Sequence, residues 1–155
     1  MSKQRHSILP HVSQQGPKPP VQFSSSITIA DSALLTGPYP ITISSESVVH
    51  PRARLESHGG RISIGRRCIV HERSILGGNA GLNNTTGVTK VALDGAGVTL
   101  GDYVTVEVGA IIEPGNTAIS DGTIVGVGVK VGAGAVVGKV CLSGFTFWVD
   151  DFLKD

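Results

Sequence analysis

The chain is poor in aromatic residues and carries almost no net charge. Aromatic residues make up 5% of its 155 residues, which argues against a core built mainly from aromatic side chains. The formal net charge is +1, so overall electrostatics gives no reason to predict nucleic-acid binding. This length is enough for one domain with a continuous core.

Long apolar runs are also missing, and cysteine is scarce. No stretch of about 18 consecutive apolar residues occurs, so no transmembrane helix is predicted. Residues Met1–Pro10 lack the apolar region of a signal peptide. The two cysteines, Cys68 and Cys141, fall at positions predicted to face inward, as small hydrophobic residues in a reducing compartment. We therefore expect a cytoplasmic protein.

A six-residue repeat is the dominant pattern in the sequence. Ile64, Val70 and Leu76 recur at intervals of six residues. A second inward candidate lies two residues before each of them, such as Ile62 before Ile64 and Cys68 before Val70. Because alternate residues of a strand face the same side, each pair is predicted to point inward from one strand. Glycine, with 21 residues, suits such a tightly turning repeat.

The repeat extends to fifteen inward pairs, which predicts an all-β fold: a parallel β-helix of about five triangular coils, spanning residues 25–143. Each of its three sides is predicted to stack one aliphatic column. Side one stacks Ile29, Val49, Val70, Val106 and Val125. Side two stacks Leu35, Leu55, Leu76, Ile112 and Val131. Side three stacks Ile43, Ile64, Leu100, Ile119 and Val137.

The irregular spacings all fall between sides two and three, so one edge of the prism is predicted to carry the loops. The longest is a predicted insertion at 77–97, and loops on one face of a solenoid often form its binding face. Residues 1–24 are proline-rich and are expected to form a disordered arm. Residues 144–155 break the pattern and are expected to form an atypical C-terminal tail, with aromatic residues that plug the end of the solenoid.

Histidine and arginine residues are concentrated on two consecutive predicted coils. His50 and His71 occupy equivalent positions, with Glu107 next in the column, so either a metal site or an exposed polar ladder is conceivable. Outward-facing residues stacked one above another do not converge, which favours the ladder. Arginine-rich rigid faces are typical of protein interfaces. We therefore predict that an acidic partner is bound by Arg52, Arg54, Arg66, Arg67, Arg73, His50 and His71.

These hexads resemble the hexapeptide-repeat family, and the resemblance implies a left-handed β-helix. That family includes acyltransferases and the gamma carbonic anhydrases. Val106–Glu113 stands where the carbonic anhydrases hold zinc, but Val108, Glu113 and Gly77 replace the three histidine ligands. The resemblance thus implies no metal, no cofactor and no carbonic anhydrase activity. For an acyltransferase, His58 in the loop edge is the candidate histidine.

A closer resemblance is to the dynactin subunit 6 family of the pointed-end complex. Ile41–Leu55 is similar to its V-x-I-G-x-x-x-V-I-H-P-x-A-x-I segment. The resemblance implies a non-catalytic adaptor of fungal type, associated with the cytoskeleton and microtubule-based transport. Its implied partners are the β-helical dynactin subunit 5, the actin-related pointed-end protein and the dynein–dynactin complex, with no direct membrane insertion. Because that family continues with another coil, residues 140–155 are expected to come from a truncated gene model or an unspliced intron.

Overall fold

A computed structural model describes residues 18–78, 97–139 and the backbone of 141–142. Most of the predicted arm (1–17), most of the predicted loop (79–96) and the predicted tail (144–155) lie outside the described residues. The described residues form no helix long and apolar enough to cross a membrane.

The described residues form seventeen short strands, each of two or three residues. In chain order they are β1 (Val21–Phe23), β2 (Thr28–Ile29), β3 (Leu34–Thr36), β4 (Ile41–Ile43), β5 (Val48–Val49), β6 (Arg54–Glu56), β7 (Ile62–Ile64), β8 (Ile69–Val70), β9 (Ile75–Leu76), β10 (Val98–Leu100), β11 (Thr105–Val106), β12 (Ile111–Ile112), β13 (Thr117–Ile119), β14 (Ile124–Val125), β15 (Lys130–Val131), β16 (Val136–Val137) and β17 (Cys141–Leu142).

Every third strand pairs in parallel, so the chain winds into an all-β parallel solenoid of about five coils, as predicted. Side one contains β2, β5, β8, β11, β14 and β17. Side two contains β3, β6, β9, β12 and β15, and side three contains β1, β4, β7, β10, β13 and β16. The register confirms the predicted columns: Leu55 aligns with Leu76, and Ile43 aligns with Ile64.

The interior is a continuous aliphatic core that is fully closed in the middle coils. Four examples, one or more from each side, are 0% exposed: Ile43, Leu55, Val70 and Ile112. Inward polar residues accompany them, and each makes a hydrogen bond; the Thr123 hydroxyl, for example, donates to the Gly138 carbonyl oxygen at 2.9 Å. No buried side-chain nitrogen or oxygen among the described residues lacks a partner. Because these buried polar side chains are hydrogen-bonded, they avoid the free-energy cost of burying an unpaired polar group.

At its N-terminal end, the solenoid begins earlier than the sequence predicted. Strand β1 lies within the range assigned to the disordered arm, because Val21 and Phe23 align with Ile41 and Ile43 and begin side three one coil early. At the other end, Cys141 aligns with Ile124, which is 40% exposed, and Leu142 aligns with the buried Val125. The side chain of Cys141 lies outside the described residues, so its predicted inward position stays a prediction. Cys68, in contrast, is a free and buried cysteine.

Candidate functional site

The predicted histidine ladder lies on the corner between sides one and two, here called the histidine corner and defined by His50, His71 and Glu107. Each coil turns there through four residues, closed by a backbone hydrogen bond such as that from Ala53 to His50 (3.3 Å). Arg52 is the third residue of this turn and has a φ of 60°. Type II turns place their third residue in this left-handed region, where glycine is the easiest residue to accommodate.

The histidine corner brings three titratable side chains together. The rings of His50 and His71 are stacked, with centroids 4.8 Å apart and planes inclined by 21°. His71 Nε2 lies 4.0 Å from Glu107 Oε2, and both side chains are about a third exposed. This distance exceeds that of a hydrogen bond but suits an ion pair when the imidazole is protonated. The His71 imidazole thus has the Glu107 carboxylate on one side and the stacked His50 ring on the other.

Arg66 and Arg67 lie on a different edge, between sides three and one, here called the arginine corner and defined by Glu46, Arg67 and Tyr103. The Arg66 backbone N–H donates to Asp102 Oδ1 at 2.8 Å, and its guanidinium donates to Oδ2 at 3.1 Å. The Arg67 guanidinium pairs with Glu46 and lies 5.7 Å from the ring centre of Tyr103. Both arginines therefore contact residues of neighbouring coils within the chain.

The charges of this corner perturb one another in the expected directions. Hydrogen bonds from the Arg66 backbone and side chain hold the pKa of Asp102 below its ordinary value. The hydrogen bond and charge of Asp102 raise the pKa of Arg66, and those of Glu46 raise the pKa of Arg67. Because all of these groups are exposed to solvent, each pair contributes little to stability.

The seven residues predicted to bind a partner do not form one site. Arg54 pairs with Glu56 on side two at 2.6 Å, and Arg66 and Arg67 are engaged at the arginine corner. Arg52 and Arg73 remain exposed beside the two histidines, and neither forms an ion pair with any described residue. The prediction that these residues bind an acidic partner stays a prediction. Of its five arginines, Arg52 and Arg73 are those without an ion pair to a described residue.

Sequence reasoning missed the partners of the two engaged arginines. Asp102, Glu46 and Tyr103 complete the arginine corner, but none of them was singled out. A signal was present, because Glu46, Arg67 and Tyr103 each precede an inward residue by one position and so fall in one corner column. All three also have positive φ, between 53° and 61°.

Outside the two corners, the described residues offer few side chains that could act in catalysis or bind a metal ion. His58 is exposed, and its side chain makes no hydrogen bond or ion pair with the described residues. Among those same residues, no three side chains of histidine, cysteine, aspartate or glutamate are placed to hold a metal ion. The histidine corner is therefore the described site in which a histidine has a carboxylate neighbour.

Two solved structures show similarity to this chain. The chain is similar to the crystal structure of UDP-N-acetylglucosamine O-acyltransferase (LpxA) from Moraxella catarrhalis RH4, with 19% identity over 76% of this chain and 46% of that chain (TM-score 0.36). It is also similar to the acetyltransferase domain of PglB from Neisseria gonorrhoeae FA1090 in complex with acetyl coenzyme A, with 16% identity over 82% of this chain and 49% of that one (TM-score 0.31).

The chain spans about half the length of either solved structure. At these levels of identity the similarity concerns the fold alone. No protein-family model matches the sequence, and no curated protein matches it significantly. None of these comparisons supports a role in dynactin, dynein or transport.

The comparisons correct the expectation that the chain is not an enzyme. Both similar structures are acyltransferases, so this fold does not argue against catalysis, and the exclusion of enzymatic activity is wrong.

Proposed function

We propose that the protein transfers an acyl group, with His71 as the general base. The observation that supports this is the pairing of His71 Nε2 with Glu107 Oε2 at 4.0 Å, on a ring stacked against His50. A candidate base needs a neighbour that orients it, and such contacts are commonly loose without substrate and tighten in the complex. The donor in this proposal is an acyl thioester, and the acceptor is a hydroxyl or amino group.

In the proposed reaction, the acceptor oxygen or nitrogen attacks the thioester carbonyl carbon. A bond from the acceptor to that carbon forms, and the carbon–sulfur bond breaks. His71 takes the proton from the acceptor and returns it to the leaving thiolate, so that no oxidant or metal is required. Glu107 orients the ring and stabilises the imidazolium that forms during transfer, while stacking on His50 restricts ring rotation.

This proposal moves the candidate histidine from His58 to His71. His58 lacks an orienting partner among the described residues, whereas His71 has two neighbours that limit its orientation. Burial distinguishes them as well, because His71 is partly covered and His58 is exposed.

The test is acyl transfer from acetyl coenzyme A to a panel of hydroxyl and amino acceptors, followed by release of the free thiol. We expect His71→Ala to lower kcat/KM by roughly 10²–10⁴-fold, the usual contribution of a general base. The matched control is His58→Ala, which should retain the wild-type rate. Thiol release that is independent of every acceptor, or equal rates for His71→Ala and wild type, would refute the proposal.

A second candidate function is that of a pointed-end dynactin subunit, which pairs with dynactin subunit 5 beside the actin-related pointed-end protein. Two observations favour it. The segment Ile41–Leu55, which resembles that family, spans a complete coil from β4 to β6. Its Arg52 and the equivalent Arg73 are exposed cations without an ion pair among the described residues. This candidate places the protein in the cytoplasm, on the dynein–dynactin complex, whether or not it also catalyses a reaction.

Affinity purification of the tagged chain from its own cells, with mass spectrometry of the copurified proteins, tests this second candidate. We expect dynactin subunit 5 at a near-equal ratio, and its loss from the double variant Arg52→Glu/Arg73→Glu. The double variant Arg61→Glu/Lys139→Glu makes the same change in net charge elsewhere on the exposed surface and should retain the partner. Recovery of a homo-oligomer alone would exclude the dynactin role and leave acyl transfer to be tested.

A further inference from the structure

The N-terminal end of the solenoid exposes a cross-section of the core. Val21 and Phe23, the inward residues of β1, are 43% and 46% exposed, whereas Ile43 in the next coil is completely buried. Ile29 and Leu35 in the same first coil are only partly buried. The three sides therefore end at the first coil in an uncovered apolar surface. Solenoid proteins normally cap such an end.

A cavity of about 480 Å³ occupies this end. Its lining is mainly apolar and includes Pro19, Phe23, Ile29 and Leu35, with Lys18 and Asp31 among its polar members. The volume lies in the range of cavities that hold ligands or inserted side chains. Lys18, which lines the cavity, is also the first described residue and is covalently joined to the seventeen residues that precede it.

We propose that this cavity binds the chain's own N-terminal segment, residues 1–17, with Ile8, Leu9 and Val12 as the inserted side chains. Val12 precedes Lys18 by six residues and Ile8 precedes it by ten, which allows reaches of roughly 20 Å and 33 Å. One side of the triangular cross-section, about five residues long, measures roughly 17 Å. The apolar residues of the segment can therefore reach every part of the open end.

The size of the open end favours this occupant over a second copy of the chain. A triangle with sides of roughly 17 Å offers an area on the order of a few hundred Å² at most, well below the roughly 1,200 Å² of specific stable interfaces. A tethered segment needs less area, because its effective concentration at the cavity is on the order of millimolar. Binding of the N-terminal segment in this cavity does not depend on either proposed function.

The experiment uses a nitroxide label at Ser13→Cys in the full chain, with Cys141→Ser removing a competing thiol. The label should broaden the methyl signals of Ile29 and Leu35 in the monomer, and reduction of the nitroxide should restore them. The same labelled chain with Ile8, Leu9 and Val12 all changed to serine is the matched control, and we expect at least a fivefold smaller effect there.

Hydrogen exchange gives a second measurement without a label. The Leu34 amide donates to the Ala53 carbonyl in the first coil, and we expect its protection to fall roughly tenfold in the triple-serine variant. Equal methyl broadening or equal protection in the two chains would overturn the proposal. Broadening that appears only between labelled and unlabelled copies, and grows with concentration, would assign the cavity to a second copy and overturn it as well.

Discussion

The Ser47 hydroxyl is the hydrogen-bonding partner of the buried Cys68 backbone amide, which donates to it at 3.1 Å. The same hydroxyl donates to the Gly65 carbonyl oxygen at 2.7 Å, so one inward serine links two neighbouring coils where the chain turns into side one. Ser47 is 1% exposed, and water cannot replace it without opening the core. A polar residue in an aliphatic stack therefore has a structural role.

Ser47→Ala should lower the free energy of unfolding by about 1–3 kcal/mol, because it leaves the Cys68 N–H buried without a partner. Urea denaturation of the full chain measures this. Ser63→Ala is the matched control, since Ser63 points outward from β7 and should change stability by less than about 0.5 kcal/mol. Equal losses for the two variants would show that the hydrogen bonds of Ser47 contribute nothing specific.

Ile64→Val should lower the free energy of unfolding by about 0.5–1.5 kcal/mol, because it removes one methylene from a closely packed column. Ile64 is 1% exposed and stacks between Ile43 and Leu100. Ile124→Val makes the same chemical change on the outer surface, where Ile124 is 40% exposed. We expect the outward variant to lose less than half as much in thermal or chemical unfolding. An equal loss would contradict the assigned inward and outward faces.

The Cys68 thiol should react slowly with thiol reagents while the protein is folded. Burial raises its pKa, and the residue is completely inaccessible, so the reactive thiolate is both scarce and shielded. In a Cys141→Ser background, we expect modification at pH 8 to be at least about 100-fold slower in buffer than in concentrated urea. Rapid stoichiometric modification of the folded chain would place Cys68 at the surface.

Asp102→Asn should make the protein less sensitive to acid. The folded-state pKa of Asp102 lies below its ordinary 3.8, so ionised Asp102 stabilises the fold above that value and loses this contribution as the pH falls through the folded-state pKa. Wild type should therefore lose more stability than Asp102→Asn between pH 7 and about pH 3, measured as urea midpoints. Glu72→Gln, at an exposed position, should keep the wild-type dependence. Parallel profiles for wild type and Asp102→Asn would refute the assignment.

The six-residue spacing of the inward aliphatic pairs was enough by itself to assign residues to the three sides of the solenoid. Leu35, Leu55 and Leu76 could be assigned to one column from spacing alone, since only alternate residues of a strand can enter a core. The hexads also located the corner turns and the histidine ladder, because residues at equivalent positions on successive coils must stack. The pair Val21 and Phe23 escaped detection because it follows a cluster of prolines.

Only the tertiary structure decided which charges meet. Arg67 finds Glu46 and Tyr103 at sequence separations of 21 and 36 residues, and the larger separation includes the insertion between sides two and three. The length of that insertion does not determine how far a side chain at the next corner reaches or which rotamer it adopts. For the same reason the sequence could place Arg52 and Arg66 on neighbouring coils but could not show that Asp102 engages Arg66 while Arg52 stays exposed. Periodicity specifies the backbone register, whereas the pairing of long polar side chains depends on packing and solvent exposure at each corner.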